Sequence, residues 1–208
     1  MTAASPAVFL VDDDAAVRDS LSLLLSLRGY RVRAFAGARE LLAEVQPDWA
    51  GCLLLDLKMP GMGGLELQAE LTARGVALPV VIVTAHGDVA SARAAFRAGA
   101  ADFIEKPIDD QALVAAIARA LERDAQGRAA AAERAEIQER LARLTSRERQ
   151  VLDLVASGRH NREVATQLEI SPRTVEVYKA RLMEKLRVRR LPDLVRLVLR
   201  ARGGPGSG

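Results

Sequence analysis

Five times in its first 124 residues the chain passes from a short apolar run to a stretch with apolar residues at helical spacing. That alternation restricts the fold more than any other feature. The runs are AVFLV ahead of Asp12, YRVRAF from Tyr30, CLLLD ending at Asp56, VVIVT ending at Thr84 and ADFIEK ending at Lys106. The stretches between and after them cover 15–28, 38–45, 65–74, 89–98 and 110–123. Runs such as Val80 to Val83 show no polar alternation, so the strands they form are covered on both faces. A strand that is always followed by a helix pairs parallel with its neighbours, because the helix supplies the crossover. The expectation is an α/β domain with a five-stranded parallel sheet between two layers of helices.

In such a sheet all the strand ends lie on one edge, and ligands bind there, where the strand order reverses. The first run ends in Asp12, Asp13 and Asp14, the third in Asp56, the fourth in Thr84 and the fifth in Lys106. Taken singly, each has an ordinary explanation: aspartate after a strand is usually a turn or cap residue, and Asp14 is well placed to cap the helix from Ala15. Taken together, they bring carboxylates, a hydroxyl and an ammonium to one edge. Clustered carboxylates repel one another and need a compensating cation. Hard oxygen donors with open positions suit Mg²⁺, which shares phosphate oxygens as ligands. A carboxylate beside such an ion can attack phosphorus to form an acyl phosphate. Lys106 would balance the added charge and the Thr84 hydroxyl would bond a phosphoryl oxygen. The glycines of LKMPGMGG, after Asp56, keep the site open.

Beyond residue 124 the pattern is helical throughout. From Leu121 to Leu144 the chain is rich in Ala, Glu and Arg, with Ile137, Leu141 and Leu144 at i, i+4, i+7 and Gly127 as the weak point. It reads as a helical connector, 124–142, that either pairs with its copy in a dimer or packs on its own domain. Thr145 and Glu148 form a capping box ahead of a helix that Gly158 stops; another helix follows Asn161. Ser171 caps a third with Pro172 at its first position, and 191–202 supplies a fourth. The tail GGPGSG is expected to be disordered. This organisation places one domain over 1–123 and a second over 143–208. Charge divides the same way: residues 1–124 carry 12 Lys/Arg against 17 Asp/Glu, and residues 125–208 carry 18 against 10. A basic second half suits a polyanion such as DNA. Its helices at 161–168 and 171–186 have helix-turn-helix spacing. On a 3.6-residue period Val175, Tyr178, Leu182 and Leu186 face the core, while Arg173, Glu176, Val177, Ala180, Arg181 and Glu184 face outward. Cys52 is the only cysteine, so no intrachain disulfide forms, and no stretch is long enough to span a membrane; the expected location is the cytoplasm.

The motifs VDDD, LLLDLKMPGMGG, VTAHGD and DFIEKP, in this order, resemble the receiver domain of two-component response regulators over about residues 7–123. The resemblance implies a flavodoxin-like (βα)5 fold. It also implies that Asp56 accepts a phosphoryl group from the phosphohistidine of a sensor histidine kinase. By the same resemblance Asp13, Asp56 and the backbone carbonyl of Lys58 ligate Mg²⁺, with Asp12 acting through water. Thr84 moves onto the phosphoryl group while Phe103 turns inward, and the Lys106–Pro107 bond is expected to be cis. The surface of the helix over 89–98, the last strand and the following helix then pairs two receivers.

The segments LTSRERQVLDLVASG, NREVATQLEISPRTVEVYKARLMEKL and LPDLVRL resemble the LuxR-type DNA-binding domain over about residues 143–201. The resemblance puts Glu176, Val177 and Ala180 at base-facing positions, while Arg173, from the outward face of the helix, is placed to reach guanine or phosphate. Thr174, Lys179 and Arg181 are its phosphate contacts. Two positions depart from common members: Ala180 stands where many carry a basic residue and Tyr178 where histidine is frequent, which leaves base preference open. The whole arrangement most resembles the FixJ subgroup of transcriptional activators. It implies a homodimer on phosphorylation that binds promoter DNA and acts with RNA polymerase. Two other readings compete. A DNA binder indifferent to phosphorylation would share the second half. A metal-dependent phosphatase with Asp56 as nucleophile would need, in the haloacid dehalogenase type, an acid two residues on, where this chain has Lys58.

Overall fold

The computed structural model describes residues 7–85 and 87–201. The expected disordered tail, 203–208, and His86 of the VTAHGD motif lie outside them. The chain divides into two compact units, 1–128 and 129–208.

The first unit holds strands β1 (Ala7–Val11), β2 (Arg31–Phe35), β3 (Gly51–Leu55), β4 (Val80–Thr84) and β5 (Asp102–Glu105) in one parallel sheet, ordered β2-β1-β3-β4-β5. Helices α1 (Ala15–Leu27), α2 (Ala38–Glu44), α3 (Gly64–Ala73), α4 (Val89–Arg97) and α5 (Asp110–Ala142) alternate with the strands. Every residue of β1, β3 and β4 is buried, as their unbroken apolar runs require. β2 differs: Arg31, Arg33 and Ala34 are exposed, because an edge strand has a neighbour on one side only.

Alternation along the strands sorts their side chains into two cores. Phe9, Leu53, Leu55 and Ile82 meet Leu41 of α2, Leu67 and Leu71 of α3 and Ala95 of α4. Val8, Leu10, Leu54, Val81 and Val83 meet Leu21 and Leu25 of α1 and Leu113, Ala116, Ile117 and Ala120 of α5. Each fully buried leucine of these layers contributes roughly 1.5–3 kcal/mol. The order reverses between β1 and β3, so the loops after those two strands open a crevice at the sheet's C-terminal edge.

α5 departs from expectation. The stretch 110–123 is not a helix of its own: α5 runs without a break from Asp110 to Ala142, and Gly127 lies inside it. A glycine in a helix interior costs about 1 kcal/mol relative to alanine, which the surrounding alanines, glutamates and arginines outweigh. Its residues from 125 to 136 are all exposed.

The second unit packs the end of α5 with α6 (Ser146–Ala156), α7 (Asn161–Leu168), α8 (Pro172–Lys185) and α9 (Leu191–Ala201). Thr145 and Glu148 close the expected capping box on α6, Ser171 caps α8, and Pro172 sits at its first position. Gly158 follows α6 at φ +82, a left-handed position that favours glycine. Ile137 and Leu144 are buried with Val151, Leu152, Val164, Val175, Leu182, Leu186 and Leu194, and Leu141 packs against them. The i, i+4, i+7 stripe of the connector is thus buried in the core of its own unit.

Candidate functional site

β1 delivers Asp12 and β3 delivers Asp56 to opposite sides of the crevice. The Asp56 amide donates to the Val11 carbonyl at 3.0 Å, extending the β1–β3 ladder by one residue. Both side chains are buried, Asp12 at 3% and Asp56 at 8% exposure. Lys106, from the end of β5, reaches between them: its Nζ donates to Asp12 Oδ2 at 2.7 Å and stands 3.9 Å from Asp56 Oδ1. The Lys106–Pro107 bond is cis. Thr84, at the end of β4, is fully buried, and its hydroxyl hydrogen-bonds the Asp56 carboxylate. Its carbonyl accepts from the Lys106 amide at 2.9 Å. Four strand ends therefore place four complementary groups around one point.

Asp13 and Asp14 stand apart from that group. Asp14 caps α1, accepting from the amides of Ala16 at 2.8 Å and Val17 at 3.4 Å. Asp13 is exposed at the rim, and among the described residues no three acidic, histidine or cysteine side chains converge closely enough to hold a metal ion. Phe103 is half-buried against the β1–β3–β4 core.

The loop after Asp56 is shaped for close approach. The Lys58 amide donates to Asp56 Oδ2 at 3.2 Å, while the Lys58 side chain is exposed. Gly61 has φ +83, and a Cβ on Gly64 would stand 2.4 Å from the Asp56 carbonyl oxygen, so no larger residue fits there. Arg18, from α1, adds a contact that the sequence does not mark. Its Nη1 donates to the Asp12 carbonyl at 2.8 Å and steadies the backbone that carries the carboxylate. Nothing local marks it, because an arginine in the first turns of an amphipathic helix reads as a solvated charge.

Burial is the main cause that pushes the Asp56 carboxyl above its ordinary range. Lys106 opposes that rise, the neighbouring Asp12 charge adds to it, and the Lys58 amide and Thr84 hydroxyl oppose it more weakly. Two buried carboxylates, Asp12 and Asp56, thus share one ammonium. The oxygen donors of the crevice fit a hard divalent cation, which needs only one or two carboxylates beside water and phosphate oxygens.

In the second unit α8 turns Val175, Leu182 and Leu186 into the core, with Tyr178 half-buried. Arg173, Glu176, Val177, Ala180 and Arg181 are exposed on the other side, Val177 at 45%. That exposed face combines acceptors, methyls and guanidinium groups, the chemistry that reads base edges and phosphates. Two expected members are already engaged. The Thr174 hydroxyl pairs with Ser171 Oγ at 2.8 Å, and Lys179 Nζ donates to Asn161 Oδ1, at the start of α7, at 3.0 Å.

Residues 8–118 match the family described as the response regulator receiver domain, and residues 142–198 match the bacterial regulatory proteins of the luxR family. The transcriptional regulatory protein FixJ of Azorhizobium caulinodans is 47% identical over 96% of this chain and 95% of its own length. FixJ of Rhizobium meliloti is 42% identical over 95% of this chain and 97% of its own. Among solved structures, the response regulator StyR aligns with a TM-score of 0.82 at 43% identity, covering 94% of this chain and 98% of that one. Full-length FixJ from B. japonicum aligns with a TM-score of 0.57 at 38% identity, covering 97% and 99%.

Proposed function

The chain belongs to the two-component response regulators that join a receiver to a LuxR-type DNA-binding domain and control transcription, and on that premise we propose that Asp56 is its phosphoryl acceptor. The observation that carries this reading is the placement of Asp56 at the point where strand order reverses, within reach of both the Lys106 ammonium and the Thr84 hydroxyl. A carboxylate oxygen of Asp56 attacks the phosphorus of a kinase phosphohistidine; the P–N bond breaks, the imidazole leaves, and an acyl phosphate remains. Lys106 offers its ammonium to the added charge, and Thr84 follows with its hydroxyl. Asp12, Asp13, Asp56 and the Lys58 carbonyl are the groups that would hold Mg²⁺, which when bound offsets the charge on the transferring phosphoryl oxygens. The inward turn of Phe103 accompanies that of Thr84.

The output is DNA binding by a homodimer that forms on phosphorylation and acts with RNA polymerase at a promoter. Two α8 helices then meet half-sites about one helical turn apart. Glu176, Val177 and Ala180 meet base edges, and Arg173, Thr174, Lys179 and Arg181 meet phosphates and flanking bases. The phosphatase alternative is weakened by Lys58, which stands where its second acid is needed.

The test is transfer of labelled phosphate to the purified chain. One base-labile label per chain, lost in Asp56→Ala together with donor-dependent dimerisation and promoter binding, is the expected result. Label retained by Asp56→Ala, or many turnovers of a phosphate ester per chain, sinks the proposal. Asp56→Ala that binds promoter as the phosphorylated wild type does would favour the reader indifferent to phosphorylation.

A further inference from the structure

α3 buries Gly64, Leu67, Gln68 and Leu71, and three of the four are what a core-facing helical stripe calls for. Gln68 is the exception. Its side chain is buried, and its Nε2 donates to the carbonyl of Ala98 at 2.7 Å. Its Oε1 is the one buried side-chain oxygen or nitrogen among the described residues without a hydrogen-bond partner. The amide thus makes one bond and leaves one acceptor unmatched, and the second costs at least as much as the first yields. A leucine would fill a similar space without an unmatched acceptor but would leave the Ala98 carbonyl without this donor, so core packing does not account for the glutamine and its bond to α4 does.

What it holds is the C-cap of α4. That helix is otherwise lightly attached: Ala95 is its one buried residue, and Val89 and Phe96 are 76% and 53% exposed. Its N-terminal end follows Thr84 after the short segment 85–88, with Asp88 capping it through the Ser91 amide at 2.6 Å.

We propose that Gln68 is a positioning residue, a latch that holds α4 in its resting place on α3 and sets how readily the helix responds to phosphorylation. The proposal rests on Asp56 being the phosphoryl acceptor. A shift of Thr84 toward a phosphoryl group acts on the N-terminal end of α4, which Asp88 caps. The other end is held by one neutral hydrogen bond and by the small side chain of Ala95, so little is lost in moving it and the two positions stay close in free energy.

Gln68→Leu and the more flexible Gln68→Met, in the full chain, test this by amide hydrogen exchange and by dimerisation. In the unphosphorylated chain exchange across α4 should rise roughly two- to ten-fold, the span of one net hydrogen bond. Dimerisation without donor should strengthen, while values with saturating donor stay those of wild type. A purely structural role would speed exchange in α1 and α3 as well and weaken the phosphorylated state. Unchanged α4 exchange in both variants, or an equal shift in the phosphorylated state, overturns the latch. Wild type and Asp56→Ala run alongside separate the two ideas. A wild type indifferent to donor sinks the acceptor reading; a responsive wild type with unmoved Gln68 variants sinks the latch alone.

Discussion

At the scale of single residues, the crevice turns on the cost of burying like charges. Asp12 and Asp13 are adjacent and identical, yet one is buried and the other exposed, because successive side chains leaving a strand point to opposite sides. The sequence shows both; only the sheet chooses between them. The raised pKa of Asp56 has a definite sign. Between its ordinary value of 3.8 and its folded value the native chain binds more protons than the unfolded one, so stability falls as pH rises through that window. Asp56→Asn is therefore expected to raise the thermal midpoint of the metal-free chain at neutral pH and to flatten the pH dependence above 3.8. Mg²⁺ at a hundred times its Kd should stabilise wild type by about 2.7 kcal/mol and the variant by much less. Thermal unfolding with and without Mg²⁺ checks both, and a variant less stable than wild type would contradict the account. Cys52 shows the same physics in a thiol: burial, then the charge of Asp124, pushes it up to about 12.

At the scale of elements, caps and periodicity carried most of the information. The start of α6 was legible because a capping box is a local pattern, four residues long. Its further use was not. The Glu148 carboxylate also accepts from Lys185 Nζ, in the last turn of α8, at 2.8 Å, a contact 37 residues away in sequence. Lys185 is the main cause that holds Glu148 below the usual carboxylate range. A depressed carboxyl contributes stability that is complete above its ordinary value of 4.5 and is lost as pH falls through the folded value. Glu148→Gln should thus destabilise the second unit at pH 7 by about 1–2 kcal/mol, discounted because the ammonium end is 40% exposed. The difference from wild type should vanish in acid. Hydrogen exchange in α6 and α8 across pH 3–7 reads it, and a pH-independent difference would point to packing instead.

At the scale of the whole molecule, composition predicts how DNA binding responds to salt. With 18 Lys/Arg against 10 Asp/Glu after residue 124, phosphate contacts are expected to supply a large share of the affinity. Arg181→Ala is expected to weaken binding to all sequences alike and to lower the slope of log K against log salt by about 1. Glu176→Ala should instead relax preference at one base pair, by about 1–3 kcal/mol. Fluorescence anisotropy at several salt concentrations separates the two, and a uniform loss for Glu176→Ala would remove it from the base-reading set.

The chain's order of elements, its strand-end chemistry and its cap residues were determined by sequence alone, because each is a pattern within a few turns of backbone. LLLDLKMPGMGG already held Asp56 and the glycines of the loop that follows it. Tertiary structure decided what depends on distant partners. It carried α5 through Gly127 and buried the stripe of Ile137 and Leu144 beside α6 to α9. It aimed Lys106 at Asp12 more closely than at Asp56, gave Lys179 to Asn161, and set Gln68 against the end of α4. Those pairings join groups up to 94 residues apart, as Lys106 and Asp12 are, and a side chain's partner across such a span exists only once both cores have closed.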